Sequence, residues 1–350
     1  MKVIVDKGIK SIQEIISLLK GFDGIELKFF NSSDIKNSNI KDADILLVRS
    51  TVKVNELLLT GTNIKLIGSA TSGIDHIDTD YLKNNYIKWF YAPGCNALSV
   101  VNYVMSCICF LKDEGMFDLT SSVGIVGYGN IGKKLKTALD YFSIKNFIYD
   151  PFLNFNFLVD IEQIKSCDLI TLHVPMTYKS EFPTNNMIDV DFLDDIQGKT
   201  LINTSRGGIV DESKLINLKN TNYISDVWIN EPCPSNKIID FALLATPHIA
   251  GHSINGKING TIMLIDFLQS YININDDQKK LNLEVIKNFI TSEDKDIQSK
   301  RDIANYNKEY DIKLESEIFK TKYINSDTSN KKNIFEEIRS KHFPRKDIEI

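Results

Sequence analysis

Three short segments in the second half of the chain carry an arginine, a glutamate and a histidine. They are Asn203-Thr204-Ser205-Arg206-Gly207-Gly208, Asp226-Val227-Trp228 followed by Glu231-Pro232, and Pro247-His248-Ile249-Ala250-Gly251. Each stands at the end of a strand-like stretch, and open α/β sheets bind ligands beyond the C-terminal ends of their strands. Oxidation of a 2-hydroxy acid needs a cation for the carboxylate, a base for the hydroxyl proton and a partner that orients the base. Arg206 offers a planar fork that suits a carboxylate and can polarise a developing carbonyl. His248 can accept the proton, and Glu231 can fix its tautomer and stabilise the imidazolium. Spacing alone does not bring the three together.

A second constellation precedes them. Val123 to Val126 is a short apolar run, followed at once by Gly127-Tyr128-Gly129-Asn130-Ile131-Gly132 and then by the helix-forming KKLKTALDYF. In such a loop the first glycine permits a tight turn and the second lets backbone approach a pyrophosphate. The third lets the helix pack closely, with its N-terminus toward the anion. The next strand-like run, NFIYD, ends at Asp150, about 20 residues on, where an acid binds the ribose hydroxyls of NAD and repels the extra phosphate of NADP. NAD is the expected cofactor.

These segments need two α/β frameworks. The first hundred residues alternate strand-like runs (Val3 to Val5, Ile45 to Val48, Leu66 to Ala70) with helical patterns such as Ile12 to Leu19. From Ser122 the alternation begins again with SVGIVG, NFIYD, DLITLHVP, TLINTS and YISDVW, which implies a mostly parallel sheet. An apolar helical pattern from Gly256 to Ser270 has no strand after it and can return to the first domain. The expected fold class is α/β: two Rossmann-like doubly wound domains, with an NAD-binding domain (97–252) inserted into a split substrate-binding domain (1–96, return helix 253–275). The crevice between the two is the expected site.

Residues 276–350 form a short α-rich extension, richer in Lys, Asn, Asp and Glu. Leu283, Ile286, Phe289 and Ile290 share one helical face, as do Ile334, Phe335 and Ile338. The segment between them reads as a polar loop. Both stripes need a covering surface, which a two-fold homodimer would supply, or the chain's own N-terminal domain if the stripes fold back on it. Arg339, Lys341, Arg345 and Lys346, with His342, read as a solvated charged face.

Composition narrows the partners. A net charge of -5 and a pI near 5.7 leave no global basic surface, so nucleic acid is not an expected partner. The opening MKVIVDKGIK reads as a strand and not as a signal peptide. The apolar stretch Leu98 to Leu111 is too short to span a bilayer and contains Asn102, so no membrane partner is expected. The five cysteines show no C-x-x-C pair and no metal-ligand spacing, which fits a reducing cytoplasm without a metal. Cys107 and Cys109 read as small buried hydrophobes.

The succession of Gly-rich loop, strand-ending Asp150, His173-Val174-Pro175, NTSRGGIVDE, DVW with Glu231-Pro232, and PHIAG resembles the D-isomer-specific 2-hydroxyacid dehydrogenases. The resemblance implies that Arg206, Glu231 and His248 form the catalytic group. It further implies that Gly127, Gly129, Asn130, Ile131, Gly132, Asp150, Val174, Thr204, Ser205, Arg206, Asp226 and Gly251 contact NAD. VRSTVKVN (Val48 to Asn55), GSATSGIDHID (Gly68 to Asp78) and APGCNA (Ala92 to Ala97) resemble a branch acting on a phosphorylated hydroxy acid. That likeness makes Ser50 and Thr71 substrate contacts, with His252 where relatives carry a substrate-contacting tyrosine. Val174 stands for a threonine, Asn102 for a glutamate, and the tail is shorter than the family's C-terminal dimerisation domain. His76 reads as structural, and His173 as shaping the nicotinamide side without acting as a base. A 3-phosphoglycerate or hydroxypyruvate enzyme of the same family, or a weakly catalytic NAD(H)-sensing protein of the same fold, stays open at this point.

Overall fold

The computed structural model describes residues 1–218, 220–293, 303–304, 306, 310–342 and 345–348. The chain divides into two compact units, Met1–Asn96 with Ser253–Gln298, and Ala97–His252 with Ser299–Ile350.

The first unit holds five parallel strands, β1 (Lys2–Asp6), β2 (Glu26–Phe30), β3 (Ile45–Val48), β4 (Leu66–Ser69) and β5 (Lys88–Tyr91), in the order β2-β1-β3-β4-β5. Successive side chains of a strand face opposite ways. Val3 and Val5 accordingly join Ile12, Ile15, Leu264 and Leu268 on one face, while Ile4 joins Ile40, Leu58 and Leu82 on the other. Burial on both faces explains the apolar runs of the inner strands β1, β3 and β4, whereas the edge strands β2 and β5 keep exposed Glu26, Lys28 and Lys88. Helix Ile254–Tyr271 belongs to this unit, its start capped by Ser253, whose side chain accepts from the Gly256 N–H.

The second unit holds six parallel strands, β6 (Val123–Val126), β7 (Asn146–Tyr149), β8 (Leu169–Leu172), β9 (Thr200–Asn203), β10 (Asn222–Ser225) and β11 (Leu244–Ala245), in the order β11-β10-β9-β8-β6-β7. After β6 the chain goes outward to β7 and then returns to the far side of β6 for β8. That reversal opens a crevice at the C-terminal ends of β6 and β8. Helix Ala97–Asp113 is buried from Val100 to Leu111, in keeping with an apolar run too short for a bilayer. No described helix is long and apolar enough to cross a membrane.

The tail departs from its sequence reading in three ways. The segment expected to be a loop contains helix Ile312–Ile324, whose start is capped by Asp311 and whose Phe319 and Tyr323 are fully buried. Most of both apolar stripes is already covered within the chain. Helix Asp276–Glu293 sets Ile286 into the first unit's core, while Leu283 turns outward at 43% exposure. Helix Lys331–Lys341 sets Phe335 and Ile338 into the second unit's core beside Phe319 and Tyr323. The charged face is also not wholly solvated: Arg345 is buried, and the His342 ring lies 5.3 Å from that of His252 in a tilted arrangement. Asn102 is part of the same anchorage, accepting the Ile348 N–H at 2.7 Å.

Candidate active site

The Gly-rich loop sits at the crevice between β6 and β8. Gly127 has φ 98°, and a side chain there would lie 2.5 Å from the His173 carbonyl oxygen, so only glycine lets this turn press against the end of β8. A side chain at Gly132 would meet the Gly127 carbonyl at 2.1 Å, whereas Gly129 faces open space. Helix Asn130–Tyr141 starts from this loop, its N-terminal amides and dipole favouring an anion. The Asp150 carboxylate accepts from the Tyr128 N–H at 2.9 Å and the Phe152 N–H at 3.1 Å, which fixes it beside the loop. Open backbone at Gly129, a helix N-terminus and a neighbouring acid together fit a dinucleotide.

The floor of the crevice is tied together by Ser205. Its hydroxyl donates to the Leu172 carbonyl at 2.7 Å and accepts from the Val174 N–H at 3.1 Å. His173 lies 3.0 Å from the Thr171 hydroxyl and 3.3 Å from that of Thr204. Burial pushes its pKa down to about 3, so the ring is neutral and acts as a fixed polar wall.

The second unit brings Glu231 and His248 together. Glu231 Oε2 lies 2.7 Å from His248 Nδ1, and its Oε1 accepts from the Trp228 N–H at 2.7 Å. Burial pushes this carboxyl up, but the His248 charge and hydrogen bond and the Trp228 N–H outweigh it, so the net shift is downward. The His248 ring is thus paired with an ionised carboxylate. His248 itself holds φ 59°, an uncommon left-handed conformation for a residue with a side chain.

Asp226 supports that conformation. Its carbonyl accepts from the His248 N–H at 2.8 Å. Its carboxylate accepts from the Ile249 and Ala250 N–H groups at 2.7 and 2.8 Å and from the Thr246 hydroxyl at 2.7 Å. Tyr103, from the long buried helix, reaches the same Thr246 hydroxyl at 2.7 Å. On the carbonyl side of the loop, Arg345 Nη2 donates to Ala250 and, at 3.2 Å, to Ser99. The histidine loop is held through both its amides and its carbonyls.

Arg206 is half-buried, with Nη1 donating to the Ser205 carbonyl at 2.7 Å. The residue after it abuts the glutamate loop: a side chain on Gly207 would lie 2.0 Å from the Trp228 carbonyl oxygen and 2.7 Å from the Ile229 nitrogen. The arginine loop therefore packs backbone to backbone on the loop that carries Glu231. Gly251 and His252 follow the histidine loop, with the His252 N–H donating to the Ile249 carbonyl at 2.8 Å.

In the first unit, Ser50 is exposed just beyond β3, next to Arg49, whose Nε lies 3.3 Å from the buried Asp6 carboxylate. Thr71 donates its hydroxyl to the Gly73 carbonyl at 2.9 Å and lies 2.7 Å from the Ser69 hydroxyl, itself 3.0 Å from His76 Nε2. Burial lowers the His76 pKa to about 4, against a smaller upward pull from Asp75. His76 is thus a neutral member of the chain of hydrogen bonds that fixes the Thr71 turn.

Sequence reasoning passed over Glu212. It lies in NTSRGGIVDE and opens helix Glu212–Leu215, where an acid ordinarily reads as a solvated companion of the helix dipole. Here it is 7% exposed and accepts from the Ile229 N–H at 3.1 Å.

Residues 118–250 match the family described as D-isomer specific 2-hydroxyacid dehydrogenase, NAD binding domain. Residues 118–250, within the second unit, are thus the NAD-binding domain of an NAD-dependent dehydrogenase. Over 99% of its length the chain is 37% identical to the erythronate-4-phosphate dehydrogenase of Wigglesworthia glossinidia brevipalpis, of which it covers 92%. It is 34% identical to the enzyme of the same name from Ruthia magnifica subsp. Calyptogena magnifica, over 93% of this chain and 99% of that one. Among solved structures, an NAD+-bound 3-phosphoglycerate dehydrogenase from Entamoeba histolytica matches with a TM-score of 0.65 and 27% identity, over 78% of this chain and 96% of that chain. The chain belongs to the erythronate-4-phosphate dehydrogenases within the D-isomer-specific 2-hydroxyacid dehydrogenase family.

Proposed function

We propose that this protein oxidises 4-phospho-D-erythronate to (R)-3-hydroxy-2-oxo-4-phosphooxybutanoate, with NAD as hydride acceptor, on the route to pyridoxal 5'-phosphate. The observation that carries the chemistry is the His248–Glu231 pair at 2.7 Å, with the glutamate's loop packed against the arginine loop. The choice of substrate rests on relatives more than a third identical over most of the chain.

NAD, when bound, supplies the acceptor for the hydride that leaves the substrate's C2. Since Nδ1 is engaged by Glu231, Nε2 of His248 takes the hydroxyl proton. Glu231 holds the ring and stabilises the imidazolium. Arg206 receives the substrate carboxylate and polarises the oxygen that becomes the ketone. Gly127, Gly129, Asn130, Ile131 and Gly132 hold the pyrophosphate, and Asp150 holds the ribose. Val174, Thr204, Ser205, Asp226 and Gly251 complete the cofactor contacts, Asp226 chiefly through the loop it fixes. Ser50, Thr71 and His252 are assigned to the substrate.

Cysteine usage supports a cytoplasmic enzyme, since the five cysteines show no C-x-x-C pair and four of them are buried. A homodimer now rests on the family's C-terminal domain alone, because the tail's apolar stripes are mostly covered inside the chain. NADH absorbance with 4-phospho-D-erythronate, 3-phosphoglycerate and hydroxypyruvate (the last in the reverse direction) tests the substrate. We expect the highest kcat/KM with 4-phospho-D-erythronate, and a higher value with either competitor overturns the assignment.

A further inference from the structure

Three contacts converge on the backbone of Trp228 and Ile229. Glu231 accepts the Trp228 N–H at 2.7 Å. The backbone at Gly207, next to Arg206, leaves no room for a side chain against the Trp228 carbonyl. Glu212 accepts the Ile229 N–H at 3.1 Å. Two acids thus grip consecutive amides of one short loop, yet only Glu231 reaches the base.

We propose that Glu212 is a positioning residue for the catalytic pair: by holding the Ile229 amide it fixes the loop from which Glu231 presents its carboxylate to His248. This inference rests on the reading of His248 as the base. The loop needs such a hold, because Asn230, between Ile229 and Glu231, takes a left-handed conformation at φ 64°. A loop with that turn and one amide released would let Glu231 swing, and misplacement of about 1 Å in a catalytic constellation costs up to about a hundredfold in rate.

The surroundings favour a positioning role over a solvated one. Burial raises the Glu212 carboxyl to about 7, with the Ile229 N–H pulling down and the Glu231 charge pushing up. The titratable groups facing it are Glu231 and the buried Tyr223 phenol. A buried carboxyl beside another acid is unfavourable for folding, and its retention at the Ile229 amide is accounted for by what that amide positions.

Two variants test this. Glu212→Met fills the same space without an acceptor, and Glu212→Gln restores an acceptor oxygen. With Met we expect kcat to fall about tenfold with KM for NAD unchanged. The lower limb of the pH–rate profile for oxidation should move to lower pH as the Glu231–His248 contact loosens. With Gln, kcat assayed at pH 6, below the Glu212 titration, should return to within about threefold of the wild type, and the limb should return with it. Full activity and an unmoved limb in Glu212→Met overturn the proposal, as does a Gln variant as impaired as Met. If the Met variant does not fold, the Gln variant decides alone: near-wild-type turnover at pH 6 supports the acceptor role and a tenfold loss overturns it. His248→Ala serves as the control: a large loss there beside an unimpaired Glu212→Met overturns the role of Glu212 alone, whereas full turnover in His248→Ala overturns the reading of the base and the positioning role with it.

Discussion

Glu231 touches His248 at Nδ1, 2.7 Å away, and with its other oxygen holds the Trp228 amide of its own loop. One carboxylate both orients the His248 ring and anchors the loop from which it is itself presented. That double engagement keeps Glu231 below the usual carboxylate range in spite of its burial. A carboxyl lowered in this way contributes stability above its unfolded value of about 4.5, lost as pH falls through the folded value. At neutral pH it is ionised.

Replacement of Glu231 by glutamine keeps the shape and removes the charge. The imidazolium loses its counter-ion, so the lower limb of the pH–rate profile for oxidation should move to lower pH, and turnover should fall at least about tenfold. An unchanged profile would remove Glu231 from the mechanism.

His248→Ala and Arg206→Ala should each lower turnover by about a hundredfold or more, the usual scale for losing a positioned base or a charge clamp. Both side chains are half-buried and lie outside the apolar clusters. Thermal melts close to the wild type, measured beside the kinetics, distinguish lost chemistry from lost folding.

The Glu231–His248 pair and the Gly-rich loop were legible because each is written in residue types that the backbone or the chemistry demands. Gly127 and Gly132 sit where carbonyl oxygens exclude a side chain, and Arg206, Glu231 and His248 each end a strand-like stretch. Other features were hidden because burial, not residue type, decides their meaning. Glu212 looks like an ordinary helix-opening acid until its surroundings are known. Helix Ile312–Ile324 was obscured because its buried face includes Glu315 and Ser316, which interrupt the apolar period. Ser316 turns inward to accept the N–H of Ala245 at 2.9 Å, closing the edge strand β11.

Cofactor choice follows from Asp150. Its carboxylate is fixed by the Tyr128 and Phe152 amides, so it cannot easily turn away from a 2'-phosphate brought to the ribose site, and like charges there repel. NAD should be preferred over NADP in kcat/KM. Asp150→Asn keeps an acceptor for Tyr128 while removing the charge, and should narrow that preference by about tenfold. Equal use of both cofactors by the wild type would show that Asp150 does not face the ribose.

The last expectation concerns the tail, whose apolar residues complete the second unit's core. Phe319, Tyr323 and Phe335 are each no more than 1% exposed. They pack on one another at ring separations of 5.3 to 6.3 Å, against a cluster that includes Ile238, Ala242 and Ala245. Lys320 adds hydrogen bonds to the Asp240 and Ala242 carbonyls at 3.1 and 2.7 Å. Phe319→Ala should therefore cost about 3–5 kcal/mol of stability, the scale of an aromatic cavity in a packed core. A chain ended after Glu293 loses all of these contacts at once, leaving the NAD-binding unit with an uncovered apolar surface. We expect it to aggregate or melt well below the full chain, which differential scanning calorimetry and sedimentation of both chains will show. A shortened chain with unaltered melting and cofactor binding, changed only from dimer to monomer, would mean that the tail serves assembly and not the core.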